Sequence, residues 1–260
     1  MKVKWCGAAA IMLEQDGRRL LFDPFLTRGG EDTRALSAEF SAAETILVTH
    51  GHFDHISDIP AVLGKARRNA AVYCTAAPKQ TLISLGVDGA RISAVSPGDV
   101  FDFAPFSVRV LEGSHIVFDL RLIAKTLINP RIVRYRDSFL RILKENKKFP
   151  EAGETVIFEI TAEGARVILL GSLGLDDGTA YPIAPDLLIM PLAGRSDADK
   201  LALRLVERIR PKRVLLDHTD DAFPPITSEV QTGPFTALMK ERHPHIPIVG
   251  REAYMQWVEI

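Results

Sequence analysis

Four side chains able to hold a divalent cation fall within six residues, His50-Gly51-His52-Phe53-Asp54-His55. Imidazole and carboxylate groups suit zinc and neighbouring divalent ions, and a loop can fold such a run around two adjacent positions. A solitary histidine usually serves packing. This density at the end of the apolar, β-branched run Ile46-Leu47-Val48-Thr49 points instead to a metal site. A cation with an open position lowers the pKa of its bound water from ~15.7 towards ~7, which brings attack on a carbonyl or phosphoryl centre within reach at neutral pH.

The elements that must position this cluster are short. Apolar, β-rich runs predict strands over Val3 to Leu13, Arg19 to Asp23, Thr45 to Thr49, Ala71 to Cys74, Ser107 to Leu111, Thr155 to Thr161, Ala165 to Gly171, Asp186 to Pro191 and Arg213 to Asp217. Asp16-Gly17 and Glu163-Gly164 each separate two such runs and mark hairpin turns. Helical spacing is read from Ile56 to Ala66 and from Ala198 to Ile209, the second closed by Pro211. No Gly/Ser-rich linker, low-complexity tract or repeat divides the 260 residues, so the expectation is a single α/β domain over 1–260.

The run His50 to His55 matches without a gap the His-x-His-x-Asp-His signature of the metallo-β-lactamase superfamily, which the chain resembles over most of its length. Leu21-Phe22-Asp23-Pro24-Phe25 before the signature, and Asp186 to Pro191 and Pro211 to His218 after it, resemble the branch containing ascorbate 6-phosphate lactonase and many uncharacterised hydrolases. The resemblance implies a four-layer αββα sandwich with metals at one edge of the paired sheets. It implies that His50 and His52, with His115 from a later strand end, hold a first ion, and that Asp54, His55 and His218 hold a second. Asp54 would also orient the attacking water and move its proton. Zinc is the first expectation, with manganese or iron as alternatives and one or two ions as the count. His243 and His245 match no family position and are read as surface residues.

One departure bears on the second ion. Most family members carry a bridging Asp after the strand that corresponds to Val167 to Leu170, but this chain reads Gly171-Ser172-Leu173-Gly174. A hydroxyl is a far weaker ligand than a carboxylate, and its neutrality removes charge that holds two cations together. Either the remaining ligands suffice, or Asp176 or Asp177 reaches in, or one ion binds. Asp176-Asp177-Gly178 also reads as a plain polar turn.

Between His115 and Thr155 the strand rhythm breaks. From about residue 119 to 150 the chain carries Arg121, Lys125, Arg131, Arg134, Arg136, Arg141, Lys144, Lys147 and Lys148 against Asp119, Asp137 and Glu145, with Ile132, Phe139, Leu140 and Leu143 as an apolar stripe. This predicts a basic amphipathic helical insertion that caps the site, its stripe packed on this chain or on a second copy. Its arginines would face an anionic small molecule, or serve only as a solvated surface.

The net charge of −1 excludes a surface that grips nucleic acid along its whole extent. The expected activity is hydrolysis of an ester, lactone or phosphoester of a small molecule. The alternatives are a phosphodiesterase acting on nucleic acid or phospholipid, and a non-catalytic metal or ligand sensor. Cys6 and Cys74 are too few for a disulfide framework. The basic start Met1 to Lys4 and its apolar continuation read as the first arm of a hairpin rather than a signal peptide, because they run into Glu14-Gln15-Asp16-Gly17. With no stretch near the ~18 apolar residues that span a bilayer, the cytoplasm is the expected location.

Overall fold

In the computed structural model the first apolar stretch folds as two strands rather than the single one expected over Val3 to Leu13. β1 (Lys2–Trp5) and β2 (Ile11–Gln15) pair antiparallel. Between them Gly7 at φ 96° and Ala8 at φ 45° turn the chain, closed by Cys6 N–H donating to Ala10 O at 2.7 Å. The side chains of Gly7 to Ala10 are small enough to permit this corner. The structure describes residues 1–27, 33–66, 69–117, 119, 120, 128–137, 140, 144, 146–222, 224 and 227–260.

The Asp-Gly hairpin forms as its residue types dictate. Asp16 and Gly17 take φ 53° and 74°, the left-handed pair whose twist matches the flanking strands, and join β2 to β3 (Arg18–Phe22). The chain continues through α1 (Arg34–Ser41), β4 (Thr45–Leu47), α2 (Phe53–Ile56), α3 (Ile59–Lys65), β5 (Ala71–Cys74), α4 (Ala76–Ser84) and β6 (Ile92–Ala94). The helix expected over Ile56 to Ala66 is thus broken at Ser57-Asp58. Pro60 has no N–H to continue the preceding helix, and the Asp58 carboxylate is turned to accept from the Leu26 and Thr27 amides at 2.6 and 2.7 Å.

Next come β7 (Val100–Phe103), β8 (Phe106–Glu112), α5 (Arg131–Arg134), β9 (Val156–Ala162), β10 (Ala165–Leu170), β11 (Leu187–Pro191), α6 (Ala198–Ile209), β12 (Val214–Asp217), α7 (Gly233–Arg242), β13 (Ile248–Val249) and β14 (Val258–Glu259). The helix expected from Ala198 to Ile209 is met residue for residue, ended by Arg210 at φ 55° ahead of Pro211.

Among the described residues there are two seven-stranded mixed sheets, ordered β14-β1-β2-β3-β4-β5-β6 and β13-β12-β11-β10-β9-β8-β7. Their central strands, such as β11 and β12, are buried on both faces because both faces are covered. Ile11, Leu13, Leu20 and Phe22 of one sheet meet Val108, Phe158, Val167 and Leu169 of the other in the central core. The alternate residues Met12, Leu21, Ile46 and Val72 pack on Leu36, Phe40, Val62 and Leu82 of α1, α3 and α4. On the far side Ile168, Leu170, Leu188 and Met190 pack on Ala202, Val206, Phe235 and Met239 of α6 and α7. The result is the expected four-layer αββα sandwich. No helix among the described residues is long and apolar enough to cross a membrane.

The pairing directions place the site. β4 lies parallel to β3 and β5, and β8, β10, β11 and β12 share one direction in the other sheet, so the loops that follow those four gather at one end of it.

Much of the expected insertion, at 121–127, 138, 139, 141–143 and 145, lies outside the described residues, and with it Phe139 and Leu143. The described parts are pinned at several points. Arg195 Nη1 donates to Val117 O at 3.1 Å, and Ser196 N–H to Asp119 Oδ2 at 2.7 Å. Arg131 pairs with Asp221 and donates to Thr227 O at 3.3 Å. Buried Phe149 meets Phe53 at a ring separation of 5.4 Å. Of the expected apolar stripe, Ile132 is half-buried and Leu140 is exposed.

Candidate metal centre

The six residues of the expected ligand set form two adjoining trios. Within His50, His52 and His115, and within Asp54, His55 and His218, the potential ligand atoms lie within 4.8 Å of one another. His50 follows β4 after Val48 and Thr49, His52 precedes α2, and Asp54 and His55 lie in its single turn. His115 follows β8, and His218 follows β12. The ring centroids of His50 and His55 are 3.9 Å apart, which makes the two trios one cluster.

His218 takes φ 54°, a conformation unusual for a side-chain-bearing residue. Its amide donates to Ala8 O at 3.0 Å, while the Asp220 carboxylate accepts from Ala8 N–H at 3.1 Å from both oxygens. The corner that splits the first expected strand therefore holds the loop carrying a candidate ligand.

The donor geometry fits a cation. His50 Nε2 and His52 Nδ1 stand 3.1 Å apart, and two imidazole nitrogens bound tetrahedrally to one ion at ~2.0–2.1 Å would be about 3.3 Å apart. In three of the five rings the nitrogen facing away from the cluster has a partner, as ligand histidines require. His50 Nδ1 faces Thr49 Oγ1 at 3.0 Å, His115 Nδ1 donates to Ile116 O at 2.7 Å, and His55 Nδ1 meets Asp23 Oδ2 at 2.9 Å.

Charge divides the trios. Burial and the neighbouring histidines hold His50 well below the usual imidazole range, and burial with His115 pushes His52 down to about 4. Burial lowers His115 as well. These three are neutral and offer lone pairs without first losing a proton. In the other trio burial opposes charge but is outweighed. Asp23 and Asp54 raise His55, a hydrogen bond to Asp54 and its charge push His218 up to about 9, and both histidines hold the Asp54 carboxyl below the usual carboxylate range. Asp54 Oδ2 lies 3.3 Å from His218 Nε2 and 3.6 Å from His55 Nε2. A cation entering there must displace protons.

Ser172 is buried against the loop that carries His115 and belongs to neither trio. Asp176 accepts from Thr179 Oγ1 at 2.8 Å and Asp177 lies 3.5 Å from Arg208, so both serve the polar turn rather than the cluster. His245 is exposed as expected, whereas His243 is half-buried with its Nε2 3.6 Å from Glu207.

Asp23 and Thr49 are the residues to which sequence reasoning gave no role. Buried Asp23 accepts from Thr49 N–H at 2.8 Å and Thr49 Oγ1 at 2.6 Å as well as facing His55. The signal available was a carboxylate directly after the apolar run Leu20-Leu21-Phe22, a position that packing alone does not explain.

The family model described as "Beta-lactamase superfamily domain" matches residues 2–218. A "UPF0173 metal-dependent hydrolase" of Bacillus velezensis is 29% identical over 231 residues, covering 88% of this chain and 89% of that one. Among solved structures, Igni18, a metallo hydrolase from Ignicoccus hospitalis, superposes with a TM-score of 0.68 at 18% identity, over 100% of this chain and 98% of its own. Zn(2+)-bound PqqB from Methylobacterium extorquens does so at 0.62 and 13%, over 100% of both chains. The chain belongs to the metallo-β-lactamase superfamily. Within that class it is a metal-dependent hydrolase.

Proposed function

We propose that this hydrolase acts on an ester, lactone or phosphoester of a small molecule, with His50, His52 and His115 holding one divalent ion and Asp54, His55 and His218 a second. The observation that carries the reading is the two adjoining trios, each with ligand atoms within 4.8 Å. Zinc suits this histidine-rich set first, with manganese and iron as alternatives. When bound, the metal supplies Lewis acidity and brings the pKa of water from ~15.7 towards ~7.

The chain's own contribution is orientation. Asp23 and Thr49 fix the rings of His50 and His55, and the Ile116 carbonyl fixes that of His115. Asp54, held ionised between His55 and His218, is placed to orient the attacking water and to accept its proton at Oδ2. The second ion is the weaker, because Ser172 offers no bridging charge. Phe149, at the end of the insertion, packs on Phe53 of the signature, which supports reading the described part of the insertion as a rim of the site, with the exposed Arg134 and Arg136 favouring an anionic substrate. Cys6 and Cys74 are buried and form no disulfide with each other, in keeping with a reducing cytoplasm.

The test is elemental analysis of the purified protein, followed by turnover on neutral and anionic esters, lactones and phosphodiesters before and after chelation. Expected is activity lost with chelator and restored by metal, greater on the anionic members. Activity surviving complete metal removal overturns the metal assignment. Metal-loaded protein inert on the whole panel overturns the substrate class.

A further inference from the structure

The loop Gly171-Ser172-Leu173-Gly174, which leaves β10, is wedged between two loops that carry candidate ligands. A Cβ added at Gly171 would lie 2.0 Å from Thr49 Oγ1, and one at Gly174 would lie 2.0 Å from Ser114 O. Only glycine allows either approach. On one side stands the residue that orients His50 and His55, and on the other the residue before His115.

Between the two glycines Ser172 is 6% exposed, and its Oγ accepts from the Ile116 N–H at 3.1 Å. The carbonyl of the same residue accepts from His115 Nδ1–H at 2.7 Å. Ile116 is thus gripped through its amide by Ser172 and grips His115 through its carbonyl.

We infer that Ser172 is a positioning residue for His115, acting through the backbone of Ile116, and not itself a metal ligand. The inference rests on reading His50, His52 and His115 as a metal site. A proton fixed on Nδ1 leaves the Nε2 lone pair for a cation, and the ring can point that lone pair only as steadily as its carbonyl partner is held. Residues 113–117 form neither helix nor strand, so no ladder of backbone bonds holds Ile116 in place. The Ser172 hydroxyl supplies an anchor there. In this chain the position has exchanged one contribution to the site for another: a neutral acceptor that orders a histidine stands where the superfamily resemblance leads one to expect a bridging carboxylate.

The experiment titrates zinc into the metal-free full chain against a chromophoric chelator, and records the visible absorption of the cobalt(II) form. It compares wild type with Ser172→Ala, Ser172→Thr and His115→Ala. Expected is that His115→Ala abolishes one binding event, that Ser172→Ala weakens the same event about 10- to 100-fold with an altered cobalt spectrum, and that Ser172→Thr restores both. An unchanged affinity and spectrum in Ser172→Ala, while His115→Ala loses the event, overturns the positioning role alone. Survival of every wild-type binding event in His115→Ala overturns the site assignment itself. If Ser172→Ala does not fold, the wild-type protein decides by NMR. Expected there are a His115 ring protonated on Nδ1 and an Ile116 amide that resists hydrogen exchange. An Ile116 amide exchanging as fast as free peptide overturns the inference.

Discussion

The carboxylate of Asp23 and the imidazole of His55 meet at 2.9 Å between Oδ2 and Nδ1, both shut away from solvent. The same oxygen accepts from Thr49 Oγ1 at 2.6 Å, and that hydroxyl faces His50 Nδ1 at 3.0 Å. One buried charge at the end of β3 therefore orients a histidine in each trio, directly in one case and through a hydroxyl in the other. Asp23→Asn keeps the shape and an acceptor but removes the charge that favours His55 as a ligand. Metal affinity of the second trio should fall about 10- to 100-fold, with a smaller loss at the first. Calorimetric titration of apo-protein checks this, and equal affinities in mutant and wild type would sink the idea.

Asp54 lies within 3.6 Å of both His55 and His218 and is proposed both to bind metal and to manage the proton of the attacking water. Asp54→Asn should therefore lose turnover more severely than it loses metal. Activity divided by bound metal, measured on the same preparation, is the deciding quantity. A constant ratio removes the proton-handling role.

On the proposed reading, the lack of a carboxylate at position 172 leaves any second ion the weaker of the two. Titration of the wild-type apo-protein should show two separated affinities or a single event. Ser172→Asp keeps an acceptor for the Ile116 amide and adds a negative charge where the superfamily resemblance leads one to expect a bridging carboxylate, so the weaker event should tighten. Two equally tight events in the wild type would contradict this account.

Gly171 has no room for a methyl group, since its Cβ would fall 2.0 Å from Thr49 Oγ1 and 2.3 Å from Thr49 Cβ. Forcing it in should destabilise the fold by about 1–3 kcal/mol and displace the hydroxyl that orients His50. Gly171→Ala should show a lower urea midpoint together with weakened metal binding. Gly164→Ala, in the turn between β9 and β10 with open space around its Cβ position, separates the two effects: it should lower stability through its φ of 83° alone and leave metal affinity intact. A Gly171→Ala variant as stable as wild type would show that the loop yields.

Burial pushes the Cys74 thiol up to about 12 from its ordinary value of 9.0. A folded pKa above the unfolded one contributes stability that is whole below the unfolded value, and that is lost as pH rises from about 9 towards about 12. Cys74→Ala should flatten this alkaline loss while leaving the acid side of the profile unchanged. In the native protein at pH 8 the thiol should not react with a disulfide reagent until denaturant is added. Prompt modification of the native chain would refute the assignment.

The sequence by itself determined the chemistry and most of the frame. Four ligand residues in His50 to His55 are legible because they are nearly contiguous, and the strands β8 to β12 are legible because apolar runs bounded by turn residues have little else to become. The hairpins at Asp16-Gly17 and Glu163-Gly164 follow from local conformational preference alone, and both pairs adopt positive φ. The superfamily resemblance implied which histidines belong together, but only the folded chain brings His115 and His218 from separate strand ends to the same cluster. The strands β6, β13 and β14 have at most three residues, too few for any periodicity to register, and exist because a neighbouring strand offers its edge. The split of β1 from β2, the break between α2 and α3, and the roles of Asp23, Thr49 and Ser172 share one cause. Each depends on a partner distant in the chain, and a hydrogen bond, or a close approach that only glycine permits, between residues far apart in sequence leaves no periodic trace along it.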